Sequence, residues 1–251
     1  DKKLAAPTLM WRALLHSLLH LLYPASCIHC RSCLAPGSPI FCHSCSQLLE
    51  MIDPQMRCSA CFFPSLQSGR HCLNCKKTPS LYYKSAAVFA YFGPAASLVK
   101  KLKYGNRPDL AKGMAAYLAV QFFQLDWPLP DALVCVPIPF TRWLDRGYNQ
   151  SFLLAKELSY FLKVPLITPL SRASGDLSQA ALSLEQRRLL TSQSFKLKRP
   201  KSVIGKNLLV IDDVATSGTT LQRCAEKLLA GSAATLYALT FCKTALDMKN
   251  L

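Results

Sequence analysis

The sequence predicts an α/β fold, a parallel sheet flanked by helices, with a small N-terminal cysteine-rich module. Three observations carry that expectation. From residue 84 onward, apolar runs of strand length alternate with stretches of helical periodicity. Nine of the twelve cysteines crowd between Cys27 and Cys75. Near the end, the thirteen residues from Leu208 to Thr220 read LLVIDDVATSGTT: a buried apolar run, two adjacent carboxylates, and a loop of small hydroxylated residues around a glycine. At 251 residues the chain has room for one ordinary α/β domain and a satellite. We divide it into an N-terminal amphipathic helix (residues 1–24), the cysteine module (25–80) and the α/β domain (84–251).

The first segment carries Leu14, Leu15, Leu18, Leu19, Leu21 and Leu22 at near-helical spacing, interrupted by Arg12, His16 and His20 and ended by Pro24. It is too short to span a bilayer and lacks the cleavage pattern of a secretory signal. We expect it to pack on the protein; contact with a membrane surface or a partner is the alternative.

The module contains four C-x2-C pairs: Cys27 with Cys30, Cys42 with Cys45, Cys58 with Cys61, and Cys72 with Cys75. Each pair offers two thiolates from a tight turn, and two pairs complete a closed tetrahedral zinc site. One or two structural zinc ions are expected. Eleven, twelve and ten residues separate successive pairs, so sequential pairing, an interleaved cross-brace and a single central site all fit. Cys33, His29, His43 and His71 are read as non-ligands. A disulfide framework is disfavoured, because no secretion signal accompanies these cysteines and the neighbouring domain suits a reducing cytosol.

In the α/β domain we expect strands at 86–91, 132–136, 164–167, 208–211 and 235–240. Helices are expected at 94–102, 108–124, 152–162 and 219–229. Open parallel sheets bind ligands at the C-terminal ends of their strands, which is where Asp212 and Asp213 fall. We expect both acids on a solvent-facing edge, accepting hydrogen bonds from a cis pair of hydroxyls such as those of ribose. Val214, Ala215, Thr216, Ser217, Gly218, Thr219 and Thr220 would then turn N–H and hydroxyl groups toward a phosphate at the positive end of the next helix. Val136, Pro137, Ile138 and Pro139 end the strand expected beside that of Asp212, and two prolines there suit a loop presenting N–H groups to a pyrophosphate. Arg142 and Arg146 could neutralise that pyrophosphate by forked hydrogen bonds. Asn149 and Gln150 follow; the asparagine serves either the ligand or the cap of the next helix. The long polar stretch 172–195 is a candidate cover that excludes water, with Arg172, Gln179 and Arg187 as its contacts.

The formal charge of +16 is spread over the chain, with 8 basic and 3 acidic residues up to Tyr83 and 22 and 11 beyond it. Such a balance suits an anionic substrate or a polyanion. Basic clusters lie at Lys100, Lys101, Lys103 and Arg107 and again at Lys196, Lys198, Arg199, Lys201 and Lys206, without a run of aromatics in sequence that would mark a base-stacking platform. A GxxxxGK[ST] phosphate loop is missing, which weakens a nucleoside-triphosphatase reading of the glycine and threonines.

The stretch LLVIDDVATSGTT resembles the phosphoribosyl-pyrophosphate signature of type I phosphoribosyltransferases. Together with the VPIP loop, the segment RGYNQS from Arg146 to Ser151, the residues Arg172, Gln179, Leu182, Ser183, Gln186, Arg187 and Arg188, and the turn at 100–105, it resembles the ComF or ComFC competence family. Relatives of that family in bacteria not known for transformation are called GntX. A C-x2-C module ahead of the domain is also that family's layout, and this chain departs from it at Leu190, where members commonly carry asparagine. The resemblance implies a type I phosphoribosyltransferase-like fold and a Mg2+-dependent phosphoribosyl-pyrophosphate site with Asp212, Asp213, Arg146 and Arg172 as its reactive core. It implies natural transformation with incoming single-stranded DNA, in the cytoplasm or at the inner face of the cytoplasmic membrane. Partners would come from the competence machinery, such as a helicase and DNA-processing proteins. The alternative is a metabolic phosphoribosyltransferase acting on a small base, its zinc module purely structural.

Overall fold

The computed structural model describes residues 25–34, 40–55, 57–65, 71–77, 79–172 and 195–244, so the predicted N-terminal helix lies outside the described residues. The chain divides into two compact units, Asp1–Glu50 and Met51–Leu251. Within the first, the short helix α1 (His43–Gln47) follows Cys42; within the second, α2 (Leu73–Lys77) follows Cys72. The second half of the 25–80 segment thus shares a unit with the sheet.

The sheet unit follows in order β1 (Lys84–Ala90), α3 (Gly93–Tyr104), α4 (Leu110–Gln124), β2 (Ala132–Cys135), α5 (Phe140–Arg146), α6 (Gln150–Leu162) and β3 (Leu166–Ile167). A small ribbon, β4 (Leu170–Arg172) with β5 (Phe195–Leu197), precedes β6 (Asn207–Ala215), α7 (Thr219–Ala230) and β7 (Thr235–Lys243). Five strands pair in the order β1-β7-β6-β2-β3, every pairing parallel. β6 takes the centre because Leu208, Leu209, Val210 and Ile211 have no exposed surface, which requires cover on both faces. On one face, Leu208 and Val210 join Leu221, Cys224, Ala225 and Leu228 of α7 in a single apolar cluster. On the other, Phe89 of β1 meets Phe241 of β7 and Tyr117 of α4 edge to face, each pair of ring centres 5.2 Å apart. α6 packs against α4 and β6.

Helix α6 starts at Gln150 because Asn149 caps it, accepting from the N–H groups of Ser151 and Phe152. Besides the five-residue helices α1 and α2, α5 and the β4–β5 ribbon escaped the sequence reading. α5 carries no buried residue, so its periodicity marks no core face. The strands of the β4–β5 ribbon are three residues each, too short for an alternation signal, and they close the base of the stretch 173–194, which lies outside the described residues.

Leu209→Ala removes a side chain with no exposed surface from the central strand. It should lower stability by about 2–5 kcal/mol, measured by denaturant unfolding.

Candidate functional site

β2 leads through α6 outward to β3, whereas β6 leads through α7 in the opposite direction to β7. The strand order therefore reverses between β2 and β6, and a crevice opens at the C-terminal ends of such a pair. Residues 136–139 and 212–219 occupy that place. Register confirms it: Cys135 pairs with Ile211, and the Val136 N–H donates to the Ile211 carbonyl at 3.1 Å.

The two acids are not on a solvent-facing edge, which corrects the sequence expectation. β6 does not stop at Ile211 but runs through both acids to Ala215, with Asp212 opposite Thr240 and Val214 opposite Cys242. Pairing with β7 on that side leaves Asp212 8% and Asp213 5% exposed. Each acid has found a partner. The Ser151 hydroxyl donates to Asp212 Oδ1 at 2.7 Å, the Asp213 N–H donates to the same oxygen at 2.9 Å, and Lys103 Nζ stands 3.0 Å from Asp213 Oδ2. Burial, then the charge of Asp213, pushes the Asp212 carboxyl up to about 7, against the hydrogen bonds that favour its charged form. Lys103 and Ser151 were not singled out as site residues from sequence. Lys103 reads there as one lysine of a basic cluster, and only the end of α3 reaching the strand tip reveals its partner.

After Ala215 the chain turns through Thr216, Ser217 and Gly218 into α7. Gly218 holds φ at +78° as the N-cap, a conformation glycine adopts without strain. The Ser217 and Thr219 hydroxyls are 2.9 Å apart, so both face the same side of the turn at the positive end of a twelve-residue helix. Thr220 lies in the first turn of α7, and Val214 within β6. A cleft of about 590 Å³ runs beside this turn, bounded by residues 215–219 on one side and by Cys61, Cys72, Cys75 and Lys243 on the other. The Lys243 ammonium donates to the Cys61 carbonyl, joining the end of β7 to the cysteine turn.

Around residues 136–139 the polar groups are largely committed to one another. Asn149 donates through Nδ2 to the Val136 carbonyl at 3.0 Å while its oxygen caps α6, so it shapes the loop as well as the helix. Arg146 donates to Gln150 Oε1 at 3.0 Å and stacks its guanidinium 4.9 Å from the Tyr104 ring centre. The buried Gln150 keeps its Nε2 without a partner in the structure. Arg142 is exposed on α5. Arg172 sits at the base of the ribbon, 5.2 Å over the Phe195 ring. Gln179 and Arg187 lie outside the described residues.

The cysteines resolve into two sets: Cys27, Cys30, Cys42 and Cys45, and Cys58, Cys61, Cys72 and Cys75. Within each set all sulfurs lie within 4.8 Å of one another. Of the three pairings left open by spacing, the sequential one is realised. Thiolates on tetrahedral zinc stand about 3.8 Å apart, given Zn–S bonds of about 2.3 Å. Cys30 Sγ to Cys42 Sγ and Cys61 Sγ to Cys72 Sγ are each 3.6 Å, so both sets can hold zinc. The sets are built alike. Cys27 N–H donates to Ser32 and Arg31 N–H to Cys27, beside a Ser26–Cys33 bridge; Cys58 N–H donates to Phe63 and Phe62 N–H to Cys58, beside an Arg57–Pro64 bridge. Arg31 and Phe62 both carry positive φ, +66° and +59°. Each knuckle is completed by a five-residue helix bearing the last cysteine.

Two expectations follow from this geometry. Between about pH 4 and 7 the folded chain retains an Asp212 proton that the unfolded chain has lost, so this group makes stability fall as pH rises through that window. Asp212→Asn should flatten the decline, seen as a smaller drop in Tm between about pH 5 and 8. Metal analysis should find two zinc ions per chain, and Cys27→Ser with Cys30→Ser should leave one.

The phosphoribosyl transferase domain family matches residues 148–245, which hold α6, β6, the hydroxylated turn and β7. The DNA utilization protein YhgH of Escherichia coli O157:H7 is 30% identical over 229 residues, covering 89% of this chain and 99% of that protein. Competence protein F of Haemophilus influenzae is 29% identical, covering 80% and 90%, and competence protein ComFC of Bacillus subtilis is 27% identical, covering 81% and 84%. With the switch-point acids, the hydroxylated turn and relatives matched along nearly their whole length, the chain belongs to the ComF/ComFC family of competence and DNA utilization proteins with a phosphoribosyltransferase-like domain.

Proposed function

We propose that the chain binds phosphoribosyl pyrophosphate with Mg2+ at the switch point and handles incoming single-stranded DNA in the cytoplasm during natural transformation. The observation that carries the sugar-phosphate reading is the placement of the acidic pair and the Thr216–Ser217–Gly218 turn on consecutive residues, at the reversal of strand order and the positive end of α7. Asp212 and Asp213 offer carboxylate oxygens that accept from ribose hydroxyls and suit Mg2+, which favours oxygen ligands and stays mainly on its substrate. That ion would neutralise charge on the departing pyrophosphate. Lys103 holds Asp213 in place, Ser151 orients Asp212, and the hydroxyls of Ser217 and Thr219 face the 5′-phosphate. Preorganised electrostatics of this kind needs no protein nucleophile. The DNA role rests on the names of the relatives and on the charge of +16. Zinc in the two cysteine sets is structural, since four thiolates leave no open position.

Calorimetry with phosphoribosyl pyrophosphate and Mg2+ tests the site. The variant Asp212→Asn with Asp213→Asn, chosen because alanine would leave Lys103 and Ser151 facing a void, should lose measurable binding while its thermal transition persists. Unchanged affinity would refute the assignment. For the DNA role, affinity for a single strand should fall steeply with the logarithm of salt concentration, and no binding near physiological salt would favour a metabolic enzyme instead.

A further inference from the structure

Resting on the nucleic-acid reading, we propose that the exposed aromatic face of α5 is the platform on which single-stranded nucleic acid stacks its bases. α5 follows the residue 136–139 loop directly, yet buries none of its seven residues. Phe140 and Leu144 are each 61% exposed and Trp143 46%. A helix that served the core would turn that apolar stripe inward. Phe140 and Trp143, three residues apart on one face, hold their rings nearly parallel at 14° with centres 5.9 Å apart. Three residues further, Arg146 lies over the ring of Tyr104, itself 74% exposed at the end of α3. Flat groups from two helices, far apart in sequence, thus lie along α5 and at its C-terminal end.

Charge decides the occupant. Arg142 is exposed on the same helix, Lys100 and Lys101 are exposed on α3, and Asp145 is the one carboxylate of α5. Aromatic surfaces interleaved with cations match a single strand, whose unpaired bases stack on rings while its phosphates meet lysine and arginine. A duplex keeps its base faces covered and would use only the cations. Because α5 follows Pro139 of the 136–139 loop directly, a strand lying on its aromatic residues would start at the rim of the proposed sugar-phosphate site.

The test uses the full chain and a fluorescein-labelled thymidine strand of about 20 nucleotides, followed by anisotropy. Phe140→Ala with Trp143→Ala should weaken binding about tenfold or more, with an unchanged salt slope, since phosphate contacts remain. Mg2+–phosphoribosyl pyrophosphate affinity should be unaltered in that variant. Trp143→Phe should keep strand affinity but lose the quenching of tryptophan fluorescence that the strand causes in the natural chain, a readout that holds even where the double variant folds poorly. A strand that binds the natural chain without quenching, or binds the double variant equally well, overturns the platform and leaves the DNA role standing. Failure of the natural chain to bind any strand removes both. Should the double variant instead abolish binding to anionic vesicles, or disperse a dimer, while strand affinity is unchanged, the face belongs to a membrane or a second copy and the proposal fails.

Discussion

Two carboxylates held side by side inside a parallel strand are the constraint around which this fold is arranged. Burying one ionised acid is costly, and burying two neighbours adds their mutual repulsion. The cost is offset by groups from two other elements: the ammonium of Lys103 on α3 and the hydroxyl of Ser151 in the first turn of α6. Each is itself fixed. The Tyr148 hydroxyl donates to the Leu102 carbonyl at 2.8 Å, tying the segment before α6 to the end of α3, and Asn149 ties α6 to the loop after β2. The polar shell is therefore a small closed structure, in which Tyr148, Asn149 and Ser151 join Lys103 and the ends of α3 and β2. Removing one partner leaves the other's charge or lone pair buried and unmet, a heavier loss than the bond itself.

Sequence made the frame legible and the shell illegible, for a physical reason. Leu208, Leu209, Val210 and Ile211 declare a strand covered on both faces, and the helices on either side declare its crossovers, because burial leaves a periodic trace. The order DDVATSG likewise announces its chemistry locally. What sequence could not show is contact between residues far apart: Lys103 with Asp213, Arg146 with Tyr104, or Lys243 with the Cys61 carbonyl. It also misjudged the exposure of Asp212 and Asp213. A hydrophilic pair after an apolar run looks like the end of a strand, whereas the register with Thr240 and Cys242 carries the strand past it.

The cysteines show the same division. Their near-equal spacing left pairing open, yet the two halves repeat one design, down to the N–H to carbonyl bonds and the left-handed residue after the second cysteine of each knuckle. Neither Arg31 nor Phe62 is glycine, so both knuckles adopt a backbone that a free chain of this sequence would disfavour. Metal binding is a natural source of the offsetting energy, because thiolate coordination is available only to the closed turn.

The two sets nevertheless have different consequences. Cys27, Cys30, Cys42 and Cys45 fall in a unit that ends at Glu50, while Cys58, Cys61, Cys72 and Cys75 belong to the unit that carries the sheet. In register, Ala215 pairs with Lys243, and Lys243 holds the carbonyl of Cys61. The last residue of the central strand, from which the Thr216–Ser217–Gly218 turn springs, is thereby paired with the residue that holds the backbone of one of the clustered cysteines. Cys61, Cys72, Cys75 and Lys243 form the wall of the cleft that faces residues 215–219. Two cysteine knuckles of one design thus sit in different surroundings: one in the N-terminal unit, the other joined to the end of the strand that pairs with β6.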